Sequence, residues 1–82
     1  MVKYTRYFLY VSKRSDRKII KEEWIKKVIE DPIREEIQSD GRIRRWGKID
    51  EYGGRILRVI LLADGETIHN AFFDRSFKEE NS

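Results

Sequence analysis

The chain has 82 residues, 18 of them Lys or Arg and 15 Asp or Glu, for a formal net charge of +3. That length supports one small domain, and no stretch approaches the roughly 20 apolar residues of a membrane-spanning helix. Lys3 and Arg6 interrupt the start with no apolar run behind them, so no secretory leader is expected and the default location is the cytoplasm. The absence of cysteine excludes disulfides, thiolate metal ligands and a thiol nucleophile, and the single histidine excludes a multi-histidine metal centre; neither a metal nor a cofactor is expected.

A domain this small builds its core from few residues. Two Trp, four Tyr and four Phe supply bulky apolar surface for it, and such a content of aromatics argues against disorder. The expected layout is a single α+β domain over residues 1–77 with a polar tail over 78–82. Charge is uneven: residues 1–48 hold 14 Lys or Arg against eight Asp or Glu, while residues 49–82 hold four against seven. A basic first part suits a polyanionic partner; a solvated, charge-laced surface is the plainer alternative.

In chain order, Tyr4, Tyr7, Phe8 and Val11 fall at i, i+3, i+4 and i+7 and predict a helix, ended by the polar cluster Ser12 to Lys18. A second helix is expected from Lys21 to Glu30. Glu22 and Glu23 lie in its first turn, Lys26 and Lys27 lie four residues further on, and Trp24, Ile25, Val28 and Ile29 form an apolar stripe. Pro32 ends it. The period then changes to 2 through Ile33, Glu35 and Ile37, and Ser39-Asp40-Gly41 reads as a turn. Arg42 to Ile49, Ile56 to Leu62 and Thr67 to Phe73 read as further strands, separated by Glu51-Tyr52-Gly53-Gly54 and by the hairpin signal Asp64-Gly65. The expected fold is two N-terminal helices on one face of a four-stranded antiparallel meander, with the other face free for function.

A two-residue Asp64-Gly65 loop pairs Ile60 with His69 and Arg58 with Ala71. Leu57, Val59, Leu61, Ile68, Asn70 and Phe72 then form the core face. Arg58 and His69 become diagonal neighbours on the other, within side-chain reach. A four-residue loop over 51–54 brings Arg45 to them; a slip of one residue brings Arg44 and Lys48 instead. The stretch Arg42-Ile43-Arg44-Arg45-Trp46-Gly47-Lys48 sets four cations and an indole along one strand, a composition able to hold phosphates and stack a base. It also fits a charged strand paired to Glu35 and Glu36. His69 has the reference pKa for proton transfer near neutrality, though a lone histidine also serves structurally. Arg58, in an apolar strand, needs a partner such as Asp74 or Glu66, or an anionic ligand. Neither a phosphate-cradling glycine loop, a nucleophile elbow nor a paired-carboxylate constellation is present.

The residues Trp24-Ile25, Asp31-Pro32, Arg42-Ile43-Arg44-Arg45-Trp46, Leu57-Arg58-Val59 and His69-Asn70-Ala71-Phe72-Phe73-Asp74-Arg75 resemble a family of small uncharacterised bacterial proteins across nearly the whole chain. More distantly, the layout of residues 20–75 is similar to the BrnT- and RelE-like toxins of bacterial toxin–antitoxin pairs. That likeness implies an RNA-acting protein with a small acidic antitoxin as partner. It would cleave RNA without a metal, with His69 as acid or base, Arg58 and Arg45 holding transition-state charge, and Arg42, Arg44, Trp46 and Lys48 binding the nucleic acid. RelE-like toxins often carry functional residues in a C-terminal segment, and here little chain follows Arg75. The alternative is a non-catalytic module that binds nucleic acid or protein.

Overall fold

In the computed structural model, which describes residues 3–13 and 18–77, five strands form one mixed sheet. The elements are β1 (Lys3–Tyr4), α1 (Arg6–Val11), α2 (Glu22–Glu30), β2 (Arg34–Ile37), β3 (Ile43–Ile49), β4 (Arg55–Leu61) and β5 (Thr67–Phe73), with a 3-10 turn over Asp50–Tyr52. The sheet order is β1-β5-β4-β3-β2. The α+β class, the two helices and the antiparallel run from β2 to β5 agree with the sequence. The fifth strand does not: β1 lies parallel to β5, pairing Lys3 with Thr67 and Tyr4 with Ile68.

Tyr4 therefore belongs to a strand, not to the first helix. The Thr5 N–H donates to the Ile68 carbonyl at 3.0 Å, which holds the chain in the sheet for one more residue. Thr5 then caps the helix, its hydroxyl accepting from Phe8 N–H at 3.1 Å. Tyr4 still stacks on Phe8, ring centroids 5.4 Å apart. Tyr7 is exposed, and only Phe8 and Val11 of α1 are buried. The helix ends at Val11, where the Ser12 hydroxyl donates back to the Leu9 carbonyl. Residues 14–17 and the expected tail over 78–82 lie outside the described residues.

Helix α2 follows its pattern closely. Glu22 and Glu23 occupy the first turn and Lys27 the last, and the Lys26–Glu22 pair closes to 3.6 Å on the surface. Trp24, Ile25 and Val28 are buried against Ile49, Leu57, Val59, Leu61, Ile68 and Ala71 of the sheet, together with Phe8 and Val11 of α1. The helix comes down on β3 at Gly47. A Cβ built there would stand 2.7 Å from Val28 Cγ2, so the close approach depends on the missing side chain. No helix among the described residues is long and apolar enough to cross a membrane.

This contact makes Gly47→Ala the most informative core substitution. It is expected to cost about 1–3 kcal/mol in chemical denaturation, the range for overpacking a tight interior. Adding Val28→Ala should recover part of that loss, since the two side chains compete for one space. Equal losses with and without Val28 would show that the approach is not limiting.

Candidate nucleic-acid interface

The sorting of the basic residues follows from the β3–β4 register. Ile49 pairs with Arg55, Gly47 with Leu57, Trp46 with Arg58 and Arg44 with Ile60. The connection is therefore five residues, Asp50 to Gly54, not the four expected. Asp50–Tyr52 wind into a 3-10 turn, and Gly53 and Gly54 leave it with φ of 70° and 71°, a conformation glycine adopts without strain. The extra residue places Arg44, Trp46 and Lys48 with Arg58 on the open face and turns Arg45 to the helix side.

Arg45 is committed there. Its Nε donates to Glu35 Oε2 at 2.6 Å and its Nη1 to the Ile29 carbonyl at 3.1 Å, a cation at the carbonyl end of α2. It does not meet Arg58 or His69. Arg44 stands 3.9 Å from Glu36, which also binds Arg34 at 2.6 Å. Both glutamates of β2 thus act as cross-strand partners of β3. Arg42, just ahead of the strand, lies 3.7 Å from Asp40. Lys48 is exposed and forms no ion pair among the described residues.

His69 is displaced from its expected position by a β-bulge. The hairpin register holds at Leu61–Ile68, but Ile60 then pairs with Asn70, Val59 with Ala71, Arg58 with Phe72 and Leu57 with Phe73. His69 is the extra residue. Beyond it every side chain changes face: Ala71 and Phe73 join the core, while Asn70 and Phe72 turn outward. Asn70 accepts from the Ala71 N–H at 2.9 Å instead of lining the core. The His69 ring lies against α1, stacked on Tyr7 at 5.0 Å with Nδ1 3.2 Å from the Thr5 hydroxyl. Partial burial, then the charge of Arg42, pushes its pKa below the ordinary histidine value.

On the open face Arg58 lies between two rings, 5.5 Å from Trp46 and 5.2 Å from Phe72. Its Nη1 is 3.5 Å from Asp74 Oδ2. Asp74 also accepts from the Trp46 indole N–H at 3.0 Å and from the Ser76 amide and hydroxyl. Burial alone would raise its pKa; these bonds and the Arg58 charge hold it below the usual carboxylate range. Trp46 is only 5% exposed. Phe77 stacks over it at 5.5 Å and the Arg34 guanidinium lies 5.7 Å from its ring. Its indole is therefore part of a small second core and offers no free surface to a base.

Comparison with family models, with curated proteins and with solved structures finds no match. Among the described residues the face carries Arg34, Arg44, Lys48 and Arg58 against Glu36 and Asp74, a surplus of positive charge. Arg34 and Phe77 were not singled out from sequence. The alternation of β2 after Pro32 carries a signal for Arg34, whereas nothing in the sequence places Phe77 on Trp46. Among the described residues no group of acidic and histidine side chains is arranged to hold a metal ion.

Two outcomes follow from the buried acid and the displaced histidine. Asp74→Ala strands the mostly buried Arg58 and the Trp46 indole, and should lower stability by roughly 3 kcal/mol, read by denaturation followed through tryptophan fluorescence. For His69, the folded chain favours the neutral ring, so it takes up its proton at a lower pH than the unfolded chain does. Its contribution is complete above about pH 6.5 and is lost as the solution acidifies through the depressed folded pKa. His69→Gln should flatten the stability profile below about pH 6.5. An unchanged slope would show that the ring does not titrate with folding.

Proposed function

We propose that this chain binds RNA without cleaving it, holding phosphates along the open face of its sheet with Arg44 and Lys48, supported by Arg34, Arg42 and Arg58. The observation that carries this reading is the shared face of Arg44, Lys48 and Arg58, which the β3–β4 register creates. A line of cations spaced by the two-residue repeat of a strand suits the repeating charge of a nucleic-acid backbone. The resemblance to BrnT- and RelE-like toxins favours RNA as the polyanion.

Binding is preferred to cleavage on geometric grounds. Attack by a ribose 2′-OH on its neighbouring phosphate needs a base, a proton donor and charge stabilisation around one phosphorus. Arg45 is held on the helix side by Glu35 and the Ile29 carbonyl. His69 is packed on Tyr7 at the bulge. The three candidate catalytic residues do not gather around one point.

Fluorescence anisotropy with a labelled single-stranded RNA tests the reading. Affinity should fall linearly on a log–log scale with salt, and removing one cation that neutralises a phosphate should reduce the slope by about 0.7. The double variant Arg44→Ala/Lys48→Ala should therefore weaken binding and flatten the salt dependence. Salt-independent binding, or none, would rule out the RNA-binding module. Shortened RNA on a denaturing gel, abolished by His69→Ala, would restore the ribonuclease reading in its place.

A further inference from the structure

Strand β2 forms one edge of the sheet, and α2 packs on β3 and β4 beside it. The edge is short and carries three charged residues, Arg34, Glu35 and Glu36, but it also presents two exposed apolar ones. Ile37 is 71% exposed, and Ile33, immediately before the strand, is 48% exposed. Edge strands with unpaired backbone and apolar side chains invite another strand.

The sequence of this edge, Ile33-Arg34-Glu35-Glu36-Ile37, complements itself when turned end to end. The geometry points to a symmetric dimer in which two copies of β2 pair antiparallel about a two-fold axis through Glu35. Ile33 then faces Ile37 of the second copy, and Arg34 faces its Glu36; symmetry makes each contact twice. The backbone parity fits except at Ile33, whose N–H is already donated inward to the Trp46 carbonyl at 2.8 Å. The Gln38 N–H donates inward to the Arg42 carbonyl at 2.7 Å, so the alternation of an antiparallel ladder turns the N–H groups of Glu35 and Ile37 outward. These two outward-facing residues are the ones that the proposed register joins by hydrogen bonds: Glu35 to Glu35, and Ile37 N–H to the Ile33 carbonyl. Moving the axis to Glu36 would set Glu36 against itself and Ile37 against Glu35, breaking both complementary pairs.

One like-charged pair remains, Glu35 against its copy. Each carboxylate is already held by its own Arg45 at 2.6 Å, which offsets the repulsion. The result is a continuous ten-stranded sheet whose two open faces lie side by side. A single strand edge buries less surface than a standard stable interface, so association is weak and depends on concentration. The proposal stands independently of RNA binding.

Sedimentation equilibrium over rising protein concentration tests it. The mass should climb from 10.0 kDa toward twice that value. Ile37→Pro removes an outward N–H without touching the β2–β3 ladder, and should stay monomeric with an unchanged far-UV circular dichroism spectrum. Arg34→Glu alone and Glu36→Arg alone should also stay monomeric, each setting like charges across the axis. A one-to-one mixture of those two variants should associate, because each supplies the charge the other lacks. A constant monomer mass for the unaltered protein, association of Ile37→Pro equal to the unaltered chain, or a mixture no heavier than its separate components would overturn the proposal.

Discussion

Helix α2 rests on the sheet at a single point where no side chain intervenes, Gly47 beneath Val28, and the character of both sheet faces follows from it. Because side chains alternate along a strand, a helix seated on Gly47 also claims Arg45 and Ile49 for its own side. Arg44, Trp46 and Lys48 are thereby committed to the opposite face. The glycine thus does more than relieve crowding. It selects which cations of a densely basic strand face solvent and which one is spent on the end of α2. A bulkier residue there would lift the helix from β3 and weaken the burial of Val28, Leu57 and Ile49 together.

The open face has its own cost. Trp46 projects from it, and an exposed indole at the centre of a sheet would leave a large apolar surface in water. The chain covers it with Phe77 and with the guanidinium groups of Arg34 and Arg58, and satisfies its N–H with Asp74. Arg58 is at once a cation of the face and a structural lid on the ring. Its charge is partly spent on Asp74, whose other bonds anchor the turn that carries the chain from β5 toward Phe77. The more available charge lies along the remainder of β3, at Arg44 and Lys48. The affinity of this face for an anion and the stability of the domain are therefore coupled at Arg58 and nearly separate at Lys48.

Much of the architecture was legible. Helix α2, the stop at Pro32, the strands β2 to β5 and their order came from periodicity and turn chemistry, which are local properties of the chain. Three features were not. The strand β1 is two residues long, too short for any period, and exists because the edge of β5 offers backbone partners to Lys3 and Tyr4. The β3–β4 connection is one residue longer than expected because a 3-10 turn fits ahead of Gly53 and Gly54. The bulge at His69 exchanged the faces of everything after it, so that Asn70 and Phe72, expected in the core, lie outside, while Ala71 and Phe73 lie within. Each change is a shift of a single residue, and in a period of two a single residue decides the face.

The sequence by itself determined the elements and their neighbours: an apolar helix stripe, four strands in a meander, and a basic strand flanked by acidic residues that can pair with it. It also contained both alternatives for the basic strand, Arg45 or Arg44 with Lys48, without a local signal to choose between them. Tertiary structure made that choice. Val28 could seat only on the glycine, a five-residue turn set the register, and the bulge carried His69 away from Arg58 to the side of α1. Local propensity decides whether residues form a strand. Which way their side chains point is decided by what packs against them.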